Sequence, residues 1–304
     1  MRVSEKERIN NIISVCKAQD IDVWKISSVE ILKNIRSDLY TLIVPKRDLE
    51  LFKKNTPKEY QIHSEDMYIS RSIRILLKKK TKYNKKRFGW YLQQFIKIAA
   101  SKNIKNDDIF VIWDADTIPL KKIIFYKSKK ILFYKGHEPK HKPYFDLIEK
   151  TFLYDKKLNY SLIAQCLAFK GTWIKIFFNY FIKKHKVNWK IFFINNINFQ
   201  EQSGFSEYET LGNFFYKNFK NDIKFLKNNW CLLGYSEIGS LKNFQFQKKK
   251  LSKKYFFISF EKWDNQMFRF IRFFRKIFYF FYTKYFIERK HSVKKFFFNQ
   301  FKSE

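Results

Sequence analysis

The sequence has 304 residues, with 62 Lys and Arg against 28 Asp and Glu and a net charge of +34. Hydrophobic residues make up 45% and aromatics 20%, so a sizeable core can form and intrinsic disorder is excluded. Only 7 Gly and 5 Pro exclude collagen-like and low-complexity architectures, and 3 scattered cysteines (Cys16, Cys166 and Cys231) exclude a disulfide framework or a CxxC zinc site.

Lys outnumbers Arg, and Phe, Ile, Asn and Tyr are abundant. These residues share A/T-rich codons, so genome composition supplies part of the charge. The resulting field still draws anions, among them nucleotides, phosphorylated sugars, anionic lipid and nucleic acid. No run of about 18 uncharged apolar residues occurs, so no membrane-spanning helix is expected. The opening MRVSEKERINNIISV lacks the apolar core of a secretion signal. The expected location is cytoplasmic, with peripheral attachment at the inner face of the cytoplasmic membrane as a variant.

The first 120 residues alternate in the manner of βαβ units. Ile12–Cys16 suits a short strand, and residues 38–44 (DLYTLIV) suit a better one, closed by Pro45. A short helix is expected from Asp48, a third strand over Tyr60–His63, and an exposed basic loop from Lys78 to Arg87. Residues 89–99 (GWYLQQFIKIA) carry apolar side chains at helical spacing. Ile109–Trp113 is apolar on both faces and belongs in the middle of a covered sheet. Ile131–Tyr134 reads as a strand, Thr172–Lys184 as a buried helix, and Ser206–Tyr216 as another helix. From about residue 241 the chain becomes strongly basic and aromatic, and a boundary is placed near residue 240.

The central strand runs into Asp114-Ala115-Asp116. In open α/β sheets the ligand crevice lies beyond the carboxyl ends of the strands, and two acids delivered there call for a neutralising cation. A divalent ion bridging carboxylate to diphosphate is the natural partner, and it would stabilise charge on a departing diphosphate. A turn in which Asp side chains cap backbone amides is the structural alternative. A second D-x-D, Asp20-Ile21-Asp22, lies in polar sequence away from a strand end. Ser206 and Glu209 form a capping-box spacing, which explains both without chemistry. Glu207 remains as a candidate to take a proton from an acceptor hydroxyl or to orient a sugar.

The order of Gly89-Trp90-Tyr91-Leu92-Gln93-Gln94, Trp113-Asp114-Ala115-Asp116-Thr117 and Ser206-Glu207-Tyr208-Glu209 resembles a bacterial family assigned to GT-A-like glycosyltransferases and catalogued as a domain of unknown function. The resemblance spans roughly residues 8 to 235. It implies a GT-A-like α/β fold with a mostly parallel central sheet flanked by helices. It also implies a nucleotide-sugar donor, a glycan or lipid-linked acceptor in surface-polysaccharide or lipopolysaccharide assembly, and Mn²⁺ or Mg²⁺ on Asp114 and Asp116. Glu207 and Glu209 would line the sugar pocket as catalytic acids, and Arg87, Gln93 and Gln94 would lie near the nucleotide. Members carry His in the stretch matching Ser161–Phe169, where this chain has Gln165-Cys166, so no third metal ligand is assigned.

Glu65 and Asp66 follow the third strand, where an acid commonly binds ribose or base; Asp66 is the cofactor-binding candidate, against an exposed acidic turn. His137 and His141 flank Pro139 and are candidate phosphate contacts. The cysteines have no neighbouring His or Asp and read as buried apolar side chains. Two other classes compete: a polyanion binder, such as an RNA-binding protein without catalysis, and a GT-A-like sugar-phosphate transferase. No RNA-recognition, KH, zinc-finger or helix-turn-helix signature occurs, so no specific nucleic acid is expected. In the tail, residues 268–281 interleave Arg and Lys with Phe, the layout of a helix lying in an anionic membrane interface.

Overall fold

Parallel strands linked by helices account for the alternating pattern of the first half. The computed structural model describes residues 9–137, 141–154, 158, 160–227 and 229–267. Strand β1 (Ile9–Val15) leads through a helix over Ile21–Asn34 to β2 (Ser37–Val44), and a helix over Leu49–Asn55 leads to β3 (Tyr60–Ser64). Helices Arg71–Lys80 and Phe88–Ala100 then bring the chain to β4 (Ile109–Trp113). The short strands β5 (Thr117–Pro119) and β6 (Tyr126–Lys127) precede β7 (Lys130–Tyr134). β8 (Cys166–Lys170), β9 (Ile223–Leu226) and β10 (Phe257–Ser259) complete the set.

The main sheet has the order β3-β2-β1-β4-β8, parallel throughout except for β8, which runs antiparallel to β4. All five residues of β4 are buried, as a continuous apolar strand requires. Because strand order reverses between β1 and β4, the crevice beyond their carboxyl ends is where such sheets bind ligand. β10 returns from late in the chain to pair antiparallel with β5, and β7 pairs with β6 and β9 in a third sheet.

Three elements depart from the sequence reading for identifiable reasons. β1 begins at Ile9 rather than Ile12 because its polar residues find partners across the sheet. Asn10 Oδ1 accepts the Ile109 amide at 2.8 Å, and Thr41 Oγ1 donates to Asn11 Oδ1 at 3.1 Å. The expected basic loop is partly helical: Lys78–Lys80 form the last turn of the Arg71–Lys80 helix, held by the buried Leu77, and Lys85–Arg87 form a 3₁₀ turn. Lysines in a last turn also complement the helix dipole. The helix expected over Thr172–Lys184 runs from Gly171 to Tyr180 and widens into a π turn over Phe181–His185.

The described residues divide into two compact units, residues 9–232 with 248–259, and residues 233–247 with 260–267. The expected boundary at 240 falls within the second unit. In the first, Lys248 meets the buried Glu30 at 2.5 Å and Phe257 packs on Trp113 at 5.3 Å. In the second, buried Asp264 accepts the amides of Tyr235 and Ser236 at 2.8 and 3.2 Å. The segment 268–281 lies outside the described residues. Among the described residues no helix is long and apolar enough to cross a membrane.

Candidate active site

β4 ends at Trp113, and the next three residues turn sharply into β5. The Thr117 amide donates to Asp114 O at 3.0 Å, and Trp113 Nε1 donates to Thr117 O at 2.8 Å. Just before the neighbouring strand β8, Gln165 directs its carbonyl to the Asp114 amide at 2.9 Å. Gln165 does so from a left-handed backbone, φ 60°, while buried. Strain of that kind in a non-glycine residue persists only where surrounding structure enforces it. The turn therefore fixes the Asp114 backbone, with the residue 9% exposed and Asp116 half-buried beyond it.

Asp114 does not stand alone. Lys97, from the Phe88–Ala100 helix, forms an ion pair with its Oδ1, and Tyr208 donates to the same oxygen at 2.8 Å. The Lys97 ammonium also contacts Glu207 Oε1 at 2.7 Å and lies 4.8 Å from the Tyr208 ring. Gln94, one turn before Lys97, accepts the Glu207 amide at 3.0 Å. Lys97, Gln94 and Glu207 are each 3% exposed. Helix 88–100, the end of β4 and the first turn of the Glu207–Phe219 helix thus meet at one buried ammonium.

One cation between two carboxylates cannot satisfy both. Burial opposes the charge on Lys97, but Asp114 and Glu207 outweigh it and hold the ammonium's pKa above its usual range. Burial raises the Glu207 pKa, and Asp114 adds to the rise, against the pull of Lys97. Burial and then Asp114 push up the Tyr208 hydroxyl and the Cys166 thiol. Tyr208 accordingly stays a neutral donor, and Cys166 a neutral thiol beside the acid.

Does this arrangement fit a divalent ion? Among the described residues no group of three His, Cys, Asp or Glu side chains converges on one point. Mg²⁺ and Mn²⁺ at phosphate sites use one or two carboxylates and leave other positions to phosphate and water. Asp114 and Asp116 match that smaller set. Lys97 and Tyr208 both engage Oδ1 of Asp114, and among the described residues no hydrogen bond reaches its Oδ2. The second D-x-D differs in setting: Asp20 and Asp22 stand at the start of the Ile21–Asn34 helix, where acids complement the dipole.

A cleft of about 580 Å³ opens beyond β1, β2 and β3, and the helix that carries Lys97 lines it with Phe88, Gly89 and Leu92. Lys17, Lys46, Arg47, Arg74 and Lys86 face it with Asp66 and Glu65. Arg74 is clamped by Glu65 at 2.6 Å and by Asp66 at 2.9 Å. Of the expected nucleotide contacts, Asp66 therefore lines the cleft. Arg87 instead donates to Ser203 Oγ at 3.0 Å and lies over the Trp90 ring at 4.8 Å. Gln94 is engaged with Glu207, and Gln93 is half-buried on the same helix outside the cleft lining.

The S-E-Y-E segment divides between roles. Ser206 Oγ caps the helix by accepting the Glu209 amide at 3.3 Å. The Glu209 carboxylate, 1% exposed, accepts from Ser161 Oγ at 2.8 Å, the Leu162 amide at 3.0 Å and Asn213 at 2.9 Å. It anchors the 161–162 loop. His137 and His141 are held by the carbonyls of Trp230 at 2.8 Å and Ser203 at 2.7 Å. Cys16, Cys166 and Cys231 are buried and form no disulfide.

Lys97, Tyr208 and the cleft cations Lys17, Lys46, Arg47 and Arg74 are not among the residues that the sequence singles out. For Lys97 a signal existed: a lone lysine inside the apolar run Phe95–Ala100, on the face that helical spacing sends inward. The cleft cations had none, since lysine is everywhere in this sequence.

No curated protein matches the chain. A solved structure, the apo form of a WbbM bifunctional glycosyltransferase, is similar over 86% of this chain at 12% identity and a TM-score of 0.37. The chain spans 47% of that protein's length, and a likeness this loose carries no argument about activity. A family model matches residues 9–217, a stretch that includes the acid turn, Lys97, Glu207, Tyr208 and every residue of the cleft. The chain belongs to that family, DUF6492, a family of unknown function.

Proposed function

We propose that this protein is a metal-dependent glycosyltransferase that moves a sugar from a nucleotide-sugar donor to a surface-polysaccharide or lipopolysaccharide acceptor, glycan or lipid-linked. One observation carries the reading. An acid turn with a carboxylate oxygen that no hydrogen bond reaches among the described residues ends the central strand, and the helix that fixes it also walls a cation-lined cleft beyond the neighbouring strands. A divalent ion, Mn²⁺ or Mg²⁺, would be held by Asp114 and Asp116 and would stabilise negative charge on the leaving diphosphate. Lys17, Lys46, Arg47 and Lys86 attract the donor's phosphates into the cleft. Glu65 and Asp66 hold the Arg74 guanidinium in one orientation. Lys97 pairs with the Asp114 carboxylate, and Glu207 holds Lys97 in place. Glu207 is thus a positioning residue rather than the acid that meets the acceptor hydroxyl. A sugar-phosphate transferase would share the donor site, and product analysis separates the two.

Calorimetric titration with a panel of nucleoside diphosphates, with and without Mn²⁺, tests the proposal. Wild-type protein should bind only with metal, and Asp116→Asn should lose that binding while keeping its melting temperature. Metal-independent binding unchanged by Asp116→Asn would overturn it. The net charge of +34 favours polyanion binding without catalysis as the second reading, for which tight, salt-sensitive RNA binding without metal is the signature.

A further inference from the structure

Between Arg71 and Arg87 the sequence has nine Lys or Arg and no Asp or Glu. In the fold this segment is the Arg71–Lys80 helix, a short turn and the 3₁₀ turn before the next helix. Its inner side is fixed by the buried Leu77 and Thr81. Arg71, Ile75, Lys78 and Lys79 recur at helical spacing on the opposite face, and all four are exposed. Ile75 is 58% exposed, and Tyr83 beyond the helix is 83% exposed with the Lys82 ammonium 4.5 Å from its ring centroid. Arg74 is taken up by Glu65 and Asp66. Among the described residues, no acid lies within ion-pair distance of Arg71, Lys78, Lys79, Lys82, Lys85 or Lys86.

We infer that this face docks on an anionic lipid surface. Cations set around exposed aliphatic and aromatic side chains match an interface in which apolar groups enter the acyl boundary and ammonium groups stay at lipid phosphates. A binder of phosphate alone has no use for an exposed isoleucine. Arg74 and Lys86, at the margins of the segment, also line the cleft, so docking here places the cleft mouth beside lipid headgroups. The inference stands without the glycosyl-transfer reading, and it uses residues distinct from the segment 268–281.

The test uses the full-length chain. The native cysteines are all buried, so Ile75→Cys can be labelled selectively with an environment-sensitive fluorophore. Vesicles of equal parts phosphatidylcholine and phosphatidylglycerol should shift its emission to the blue, and pure phosphatidylcholine should not. Each basic residue contributes roughly fivefold to partition onto such a surface. Replacing Lys78, Lys79 and Lys82 together by Gln should therefore weaken vesicle binding about 100-fold. Unchanged partition of that variant, or a label that stays in water while the protein is vesicle-bound, would overturn the inference. A label that responds to single-stranded RNA and not to vesicles would overturn it too, and would assign the face to nucleic acid.

Discussion

Replacing Lys97 by Met removes the ammonium shared by two buried carboxylates and leaves its volume nearly filled. The loss is then electrostatic rather than a cavity effect. Removing one partner of a buried ion pair costs about 3–5 kcal/mol, a large share of a typical stability of about 5–15 kcal/mol. The pH dependence follows from Glu207, whose folded-state pKa already lies above 4.5 through burial. Without Lys97 it rises further. A carboxyl with a raised folded-state pKa costs stability above that pKa, and costs nothing once the pH falls below the unfolded value. The deficit of Lys97→Met should therefore be full near neutral pH and shrink toward acid pH. Urea denaturation at both ends of that range reads it directly. Adding Glu207→Gln should recover part of the loss, because only one buried carboxylate then faces the missing ammonium. A deficit under about 1 kcal/mol at neutral pH, or one that does not narrow in acid, would refute the shared-cation account.

Three further changes probe the supports around this cluster. Ser206→Ala removes the cap on the Glu209 amide and should cost about 1 kcal/mol in urea denaturation. At Gln165, whose φ is 60°, Gln165→Gly should be tolerated, whereas Gln165→Val should lower stability by about 1–2 kcal/mol; equal effects would remove backbone strain from the explanation. A Cβ at Gly89 would lie 2.2 Å from the flexible tip of Lys17. Gly89→Ala should thus leave the melting temperature nearly unchanged but displace Lys17 and weaken nucleoside diphosphate binding in the Mn²⁺ titration.

The sheet was legible because its signal is local. Ile109–Trp113 is apolar at every position, and the structure buries all of it. The acid turn was legible for the same reason, since a strand end marks its own position in the sequence. The roles of the S-E-Y-E acids were not. Glu207 and Glu209 are two residues apart, yet one meets Lys97, 110 positions earlier, and the other meets Ser161, 48 positions earlier. Nothing in the local spacing distinguishes those fates. The polar start of β1 was hidden likewise, because Asn10 and Asn11 find partners only once β2 and β4 lie beside them.

The pairing of β10 with β5 sets an order of events in synthesis. Ser259 Oγ bonds Thr117 Oγ1 at 3.2 Å, and Phe257 covers Trp113 on the strand that delivers the acids. A ribosome has made all the acids of the candidate site by residue 209, yet the strand that closes on their turn has not emerged. Until residue 259 clears the exit tunnel, the edge of β5 that pairs with β10 is open. The nascent chain therefore holds every group of the site before it holds the site, and trimming the chain near residue 240 would return a mature protein to that state.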